Sequence, residues 1–129
     1  MPAPEGHLEI RAFIPARDFA TSAAFYDRLG FRRVVDSHEV VVFELKGMAF
    51  ILQNYFDEGW ARNCMMQLMV DDLDAWWAHI QSLDLPGKFH VATPKAPEMQ
   101  PWGLRVAYVI DPAGVLWHIA QRRPNTPQD

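Results

Sequence analysis

Cysteine and strong charge of either sign are scarce in this sequence. Cys64 is the single cysteine among 129 residues, which excludes an intrachain disulfide and any CxxC metal or redox motif. Twelve Lys and Arg stand against 16 Asp and Glu, a formal net charge of −4, with no basic cluster. Phosphate backbones and anionic lipids are bound through such clusters. We therefore expect no nucleic-acid partner and no membrane partner.

Long apolar runs and several enzyme motifs are also absent. No apolar run approaches the roughly 18 residues of a membrane-spanning helix, and residues 1–6 lack the basic start and apolar core of a secretion signal. GxSxG, GxxxxGK[ST] and GxGxxG do not occur. Together with the single cysteine, these absences predict a cytoplasmic protein that is neither a serine hydrolase of the GxSxG type nor a nucleotide-binding enzyme.

Apolar periodicity and turn residues predict two similar halves. The first half combines a helix that begins at Asp18 and ends at Gly30 with strands at 8–14, 31–36, 39–45 and 48–55. The second combines a helix that begins at Asp72 and is broken at 85–87, a proline-rich loop at 94–101 and strands at 65–70, 89–92, 104–110 and 115–120. Each half is therefore strand, helix, three strands.

An offset comparison supports an internal repeat. A shift of 54 residues places Asp18 on Asp72, and a shift of 67 places Gly47 on Gly114. The two shifts imply an insertion of 13 residues in the second half, where the proline-rich loop lies. We expect one domain, 1–129, with a first module at about 7–56, a second at about 63–121 and a tail at 122–129.

Three segments in the correct order resemble one family. Residues 17–31, RDFATSAAFYDRLGF, are similar to the Asp, small-residue, Phe-Tyr, Leu-Gly-Phe signature of the glyoxalase, bleomycin-resistance and extradiol-dioxygenase (vicinal oxygen chelate) superfamily. Residues 70–75, VDDLDA, resemble the opening of its second module. Trp102-Gly103 with 111–117, DPAGVLW, resembles the final hairpin of its bleomycin-resistance-like branch. The resemblance implies an α+β fold, with two βαβββ modules forming curled mixed sheets around a cleft, and a homodimer.

The resemblance also tests for a metal. Enzymes of the superfamily hold a divalent cation with His, Gln or Glu from the first and last strands of each module. Counting from the helix starts and hairpin glycines gives Arg11, Met65, Ile51 and His118, and only His118 is a suitable ligand. We therefore expect no catalytic residues and no cofactor.

An alternative set of metal ligands would be consistent with an enzyme. Side chains alternate along a strand, so neighbouring positions on the same faces supply a second candidate set for a divalent metal. The set consists of Glu9, Gln53, Gln67 and His118. With it, the chain would be a metal-dependent glyoxalase-like lyase or dioxygenase.

Without a metal, the cleft would bind a small molecule directly. We assign to it the residues Arg11, Phe13, Phe43, Gln53, Tyr55, Trp60, Gln67, Trp102, Tyr108 and His118. Trp60 and Trp102 lie in loops and suit stacking on a flat aromatic or cationic ligand, whereas Trp76 and Trp77 suit helix packing or dimer contacts. Phe13, Phe43 and Tyr108 equally suit a core, and Arg11 requires Glu9 or an acidic ligand as its partner.

Three function hypotheses follow. The first is a metal-free binding protein that resembles bleomycin-resistance proteins and sequesters a drug or aromatic ligand in a dimer cleft. The second is the metal-dependent enzyme of the same superfamily. The third is an interaction module without a small ligand. Metal content separates the second hypothesis from the first, and ligand titration separates the third.

Overall fold

The structure, a computed structural model, describes residues 1–122 as two four-stranded sheets with four helices. The first half contains β1 (Phe13–Pro15), α1 (Phe19–Leu29), β2 (Arg32–Asp36), β3 (Val40–Leu45) and β4 (Met48–Gln53). A linker helix follows, α2 (Glu58–Asn63). The second half contains β5 (Met65–Val70), α3 (Leu73–Ser82), α4 (Leu85–Phe89), β6 (Lys95–Met99), β7 (Arg105–Ile110) and β8 (Leu116–Gln121). Beyond Arg122, the predicted tail lies outside the described residues.

The two sheets repeat one topology. Their strand orders are β1-β4-β3-β2 and β5-β8-β7-β6. In each sheet the first strand of the module runs parallel to the last, and the remaining neighbours are antiparallel. This arrangement confirms the predicted α+β fold of two βαβββ modules.

Matching signals begin the two main helices. Asp18 Oδ1 accepts the Thr21 N–H at 3.0 Å, and Asp72 Oδ1 accepts the Ala75 N–H at 3.0 Å. Each aspartate satisfies a backbone donor that the first helical turn leaves free. At its other end α1 stops at Gly30, whose φ of 121° is open to glycine and strained for other residues. The predicted helix starts and the Gly30 cap are confirmed.

Three local predictions are wrong. The first strand is confined to Phe13–Pro15, because residues 7–12 have no partner strand in the described chain. No strand forms at 89–92, where α4 ends. The predicted break of the second helix is confirmed, because α3 stops at Ser82 and residues 85–89 form a separate short helix with Pro86 in its first turn. The proline-rich loop instead contains β6, an edge strand whose register shifts around Pro97, as proline requires. The linker helix α2 was not predicted.

An aromatic cluster joins the two halves into one core. Tyr26 and Phe31 of the first half pack with Trp117 of the second, with ring centroids 5.7 and 5.8 Å from the indole. The Tyr26 hydroxyl donates to Asp111 Oδ2 at 2.6 Å and accepts from Trp117 Nε1 at 2.8 Å. All four residues are buried. The polar atoms of this cluster therefore satisfy one another across the two modules.

The helix ends also bind across the modules. Arg28 Nε, near the end of α1, donates to the Leu83 carbonyl at 2.7 Å, just after α3. His79 Nε2, on α3, hydrogen-bonds the Leu29 carbonyl at the end of α1, also at 2.7 Å. Each helix thus satisfies a free carbonyl at the other's C-terminus.

None of the helices in residues 1–122 is both long and apolar enough to cross a bilayer.

Candidate functional site

Each sheet has a packed face and an open face, and the register assigns residues to them. In the first sheet Phe50 and Leu52 are buried in the core. The alternate positions form a row across the opposite face, in which Phe13 pairs with Ile51 and Ile51 with Val42. Phe13 keeps 52% of its surface exposed. The open face of the first sheet is therefore apolar at this row.

The equivalent row of the second sheet is polar. Gln67 pairs with His118, His118 with Tyr108, and Tyr108 with Lys95. The rings of Tyr108 and His118 meet edge to face with centroids 4.8 Å apart. Partial burial lowers the pKa of His118, which keeps its imidazole neutral at neutral pH. Three predicted site residues, Gln67, Tyr108 and His118, are thus brought together on one open face.

The donor set does not fit a divalent metal of the superfamily type. The ladder pairs Phe13 with Ile51 and Gln67 with His118, so the equivalent positions of the two modules carry one apolar pair and one polar pair. Phe13 and Ile51 have no donor atom. This register also corrects the count from the helix starts, because Phe13 rather than Arg11 stands opposite Ile51.

The alternative set of metal ligands is divided between two places, because Gln67 stands beside His118 and lines one pocket with Glu9, whereas Gln53 lies on the first sheet. Glu9 is bound to Arg11, with Arg11 Nη2 2.7 Å from Glu9 Oε1, and Gln53 stands opposite Pro15. Residues 1–122 contain no cluster of three His, Cys, Asp or Glu side chains able to hold a metal. The expected pairing of Arg11 with Glu9 is confirmed.

The remaining predicted residues fall into separate groups. Tyr55 and Trp60 form a tilted pair, with centroids 6.3 Å apart, beyond the end of β4. Trp102 lies in the turn between β6 and β7 and is 53% exposed. The predicted loop position is confirmed for Trp102 but is wrong for Trp60, which lies half-buried on α2. Trp76 and Trp77 pack against the core.

Phe43 does not lie on an open face, and its assignment to the cleft is wrong. Its side chain is fully buried, with its ring stacked on Phe50 at 5.5 Å and near Tyr26 at 5.6 Å. Sequence reasoning also missed open-face residues that the register supplies, which are Val35, Ile51, Lys95, Ile110 and Leu116. Side chains alternate between the two faces of a strand, so these residues could have been found by counting in steps of two from one correctly placed pair, such as Gln67 and His118.

The single cysteine is placed for packing. Cys64 caps the C-terminal end of α2 and packs against the core. Burial and, secondarily, the nearby Asp111 carboxylate raise the pKa of the Cys64 thiol. A thiol held in its protonated form is a poor nucleophile. The site therefore contains no activated cysteine.

Comparisons with known proteins agree with this fold. Residues 6–119 match the model of the Glyoxalase/Bleomycin resistance protein/Dioxygenase superfamily. A bleomycin resistance protein of Klebsiella pneumoniae is 30% identical over 116 residues, covering 84% of this chain and 87% of that protein.

Two solved structures share the architecture. A bleomycin-binding protein complexed with bleomycin has a TM-score of 0.78 at 26% identity, over 91% of this chain and all of that one. A bleomycin resistance determinant encoded on transposon Tn5 has a TM-score of 0.75 at 25% identity, over 90% and 99%. The chain therefore belongs to the glyoxalase, bleomycin resistance protein and dioxygenase superfamily.

Proposed function

We propose that this chain is a metal-free binding protein that sequesters a drug or flat aromatic ligand of the bleomycin type without altering it. The observation that carries the proposal is the pairing of Phe13 with Ile51 where a superfamily metal would need donors. The relatives named for bleomycin resistance and bleomycin binding support the ligand class. In a cell, such capture in the cytoplasm would confer antibiotic resistance by lowering the free drug concentration.

We propose further that a second copy of the chain completes the cleft. The predicted ligand residues lie in separate groups on the first sheet, the second sheet and the loops, so one chain does not surround a ligand. Apolar side chains are exposed before and within the first sheet, with Ile10 at 91%, Phe13 at 52% and Val35 at 47%. Exposed apolar side chains favour association. A homodimer would cover this surface and bring two open faces together.

Titration of the protein with bleomycin, followed by tryptophan fluorescence, tests the binding. We expect a saturable change in emission, because Trp102 is exposed in its turn and can stack on a ligand, and Trp60 keeps part of its surface exposed on α2. The Trp102→Ala variant should bind about tenfold more weakly, which is a typical loss for one stacked aromatic contact. Met99→Ala, an exposed residue on the same hairpin, is the matched control and should bind as the native chain does.

Sedimentation of the Trp60→Ala and Trp102→Ala variants, together with metal analysis of the native chain, separates the three hypotheses. If Trp60→Ala and Trp102→Ala alter dimerisation but bleomycin and a library of aromatic drugs show no binding to the native chain, the protein is an interaction module. If purified protein carries one equivalent of Fe, Ni, Mn or Zn and loses an activity on chelation, it is a metal-dependent enzyme. Either result overturns the sequestration proposal.

A further inference from the structure

A hollow of about 310 Å³ lies on the open face of the second sheet. Its floor is apolar and comes from the strand ladder, in which Ile110 pairs with Leu116 one pleat beyond Tyr108. Its rim comes from Thr93 and Lys95, where the chain enters β6. The hollow is therefore wide enough for an aromatic ring system, with polar groups on one side only.

The polar groups of the hollow favour an anion. Lys95 is the one charged residue among those that line it, and no carboxylate lines it. Within residues 1–122, no carboxylate oxygen lies within 4.0 Å of the Lys95 ammonium. Lys95 and the Thr93 hydroxyl can both donate hydrogen bonds. A ligand that places a carboxylate or sulfonate at this rim gains a charge-assisted hydrogen bond.

The aromatic wall of the hollow is held in place. Tyr108 meets His118 edge to face, at an interplanar angle of 76°, and both side chains are only partly exposed. This contact restricts the Tyr108 ring, so a ligand that stacks on the ring loses little affinity to the conformational entropy of that side chain. A planar ligand would therefore pack on a fixed surface beside Lys95, which has no carboxylate partner within residues 1–122.

We propose that this hollow binds a flat aromatic group carrying a carboxylate or sulfonate, with Lys95 as the residue that selects the anion. The inference rests on the proposed binding function and names a ligand class for part of its site. It differs from the cationic ligand that Trp60 and Trp102 suggest, because Lys95 is the one charged residue among those that line this hollow. A ligand that spans both regions would carry its anionic group at Lys95.

Two fluorescent probes with nearly the same ring system test the selection. Anilinonaphthalene sulfonate carries the anion, and N-phenylnaphthylamine lacks it. We expect Lys95→Met to weaken the sulfonate probe about two- to fivefold, the size of an exposed ion pair, and to leave the neutral probe unchanged. Added salt should weaken only the sulfonate probe, and only in the native chain. Lys88→Met, an exposed lysine on α4, is the control and should change neither probe.

Two results would overturn the inference. One is equal weakening of both probes by Lys95→Met, which would mean that the lysine stem packs rather than selects charge. The other is an unchanged affinity for the sulfonate probe. The bleomycin titration remains separate, since native protein that binds bleomycin but shows no Lys95 effect refutes only the anion site. Native protein that binds the sulfonate probe through Lys95 but ignores bleomycin refutes the proposed drug.

Discussion

Removal of the Tyr26 hydroxyl should strongly destabilise the fold. The hydroxyl is fully buried, donates to Asp111 Oδ2 at 2.6 Å and accepts from Trp117 Nε1 at 2.8 Å. Tyr26→Phe leaves the indole N–H and one carboxylate oxygen without a protein partner. An unsatisfied buried group costs about 1–3 kcal/mol, so the two together lower the free energy of unfolding by about 3 kcal/mol. That is a large part of the roughly 5–15 kcal/mol of a small domain.

The penalty should depend on pH through Asp111. Burial raises the pKa of this carboxyl above its usual value, while the Tyr26 hydroxyl lowers it by donating to the charged form. A pKa raised in the folded state means that the stability from this group is present at acid pH and is lost as pH rises through the folded pKa. Tyr26→Phe removes the bond to the charged form. Its penalty should therefore be larger at pH 7 than below the folded pKa.

Urea unfolding at fixed protein concentration measures both effects. The linear extrapolation should give the loss of about 3 kcal/mol at pH 7 and a smaller loss as the pH falls toward 4. Tyr108→Phe is the control, since that tyrosine lies on the open face, and should change the free energy of unfolding by less than about 0.5 kcal/mol. A Tyr26→Phe loss below about 0.5 kcal/mol, or one that is the same at both pH values, refutes the reasoning.

Three further predictions follow from the same contacts. Asp111→Asn should flatten the pH dependence of the unfolding free energy, and an undiminished slope between pH 4 and 7 would contradict the assignment to Asp111. Arg28→Ala and His79→Ala should each cost about 1 kcal/mol by freeing a helix-end carbonyl, as measured by urea unfolding, and losses near zero would mean that water replaces them. The native Cys64 thiol should react with a thiol reagent more slowly at pH 7.5 than free cysteine does, because burial raises its pKa, and a faster reaction would contradict that environment.

Local hydrogen bonding made part of the fold predictable. Asp18 and Asp72 each accept a backbone N–H three residues on, so the helix starts depend on neighbours in sequence. Gly30 ends α1 for an equally local reason, its positive φ. The offsets of 54 and 67 residues then indicated that the second half repeats the order of elements of the first. The predicted pairing of Arg11 with Glu9 involves residues only two positions apart.

Register was the part that sequence reasoning could not fix. In β3 both faces are apolar, with Val41 and Phe43 on one and Val40 and Val42 on the other, so alternation does not say which face is packed. Phe43 was assigned to the wrong face for this reason. The prolines around β6 suggested a loop, but an edge strand tolerates proline, so the sequence did not reveal this strand. The residue opposite Ile51 could be identified only from the pairing of β1 with β4.

The most direct test of metal-free sequestration is a bleomycin titration of protein that has been treated with a strong chelator. The ligand is then recovered, and its mass is measured by mass spectrometry. We predict saturable binding. Because Phe13 and Ile51 offer no metal ligands, the chelator should leave the affinity unchanged. Because the ligand is only sequestered, its mass should be unchanged on recovery. Binding that disappears on chelation and returns with one equivalent of a divalent metal, or a ligand whose mass has changed, would contradict it.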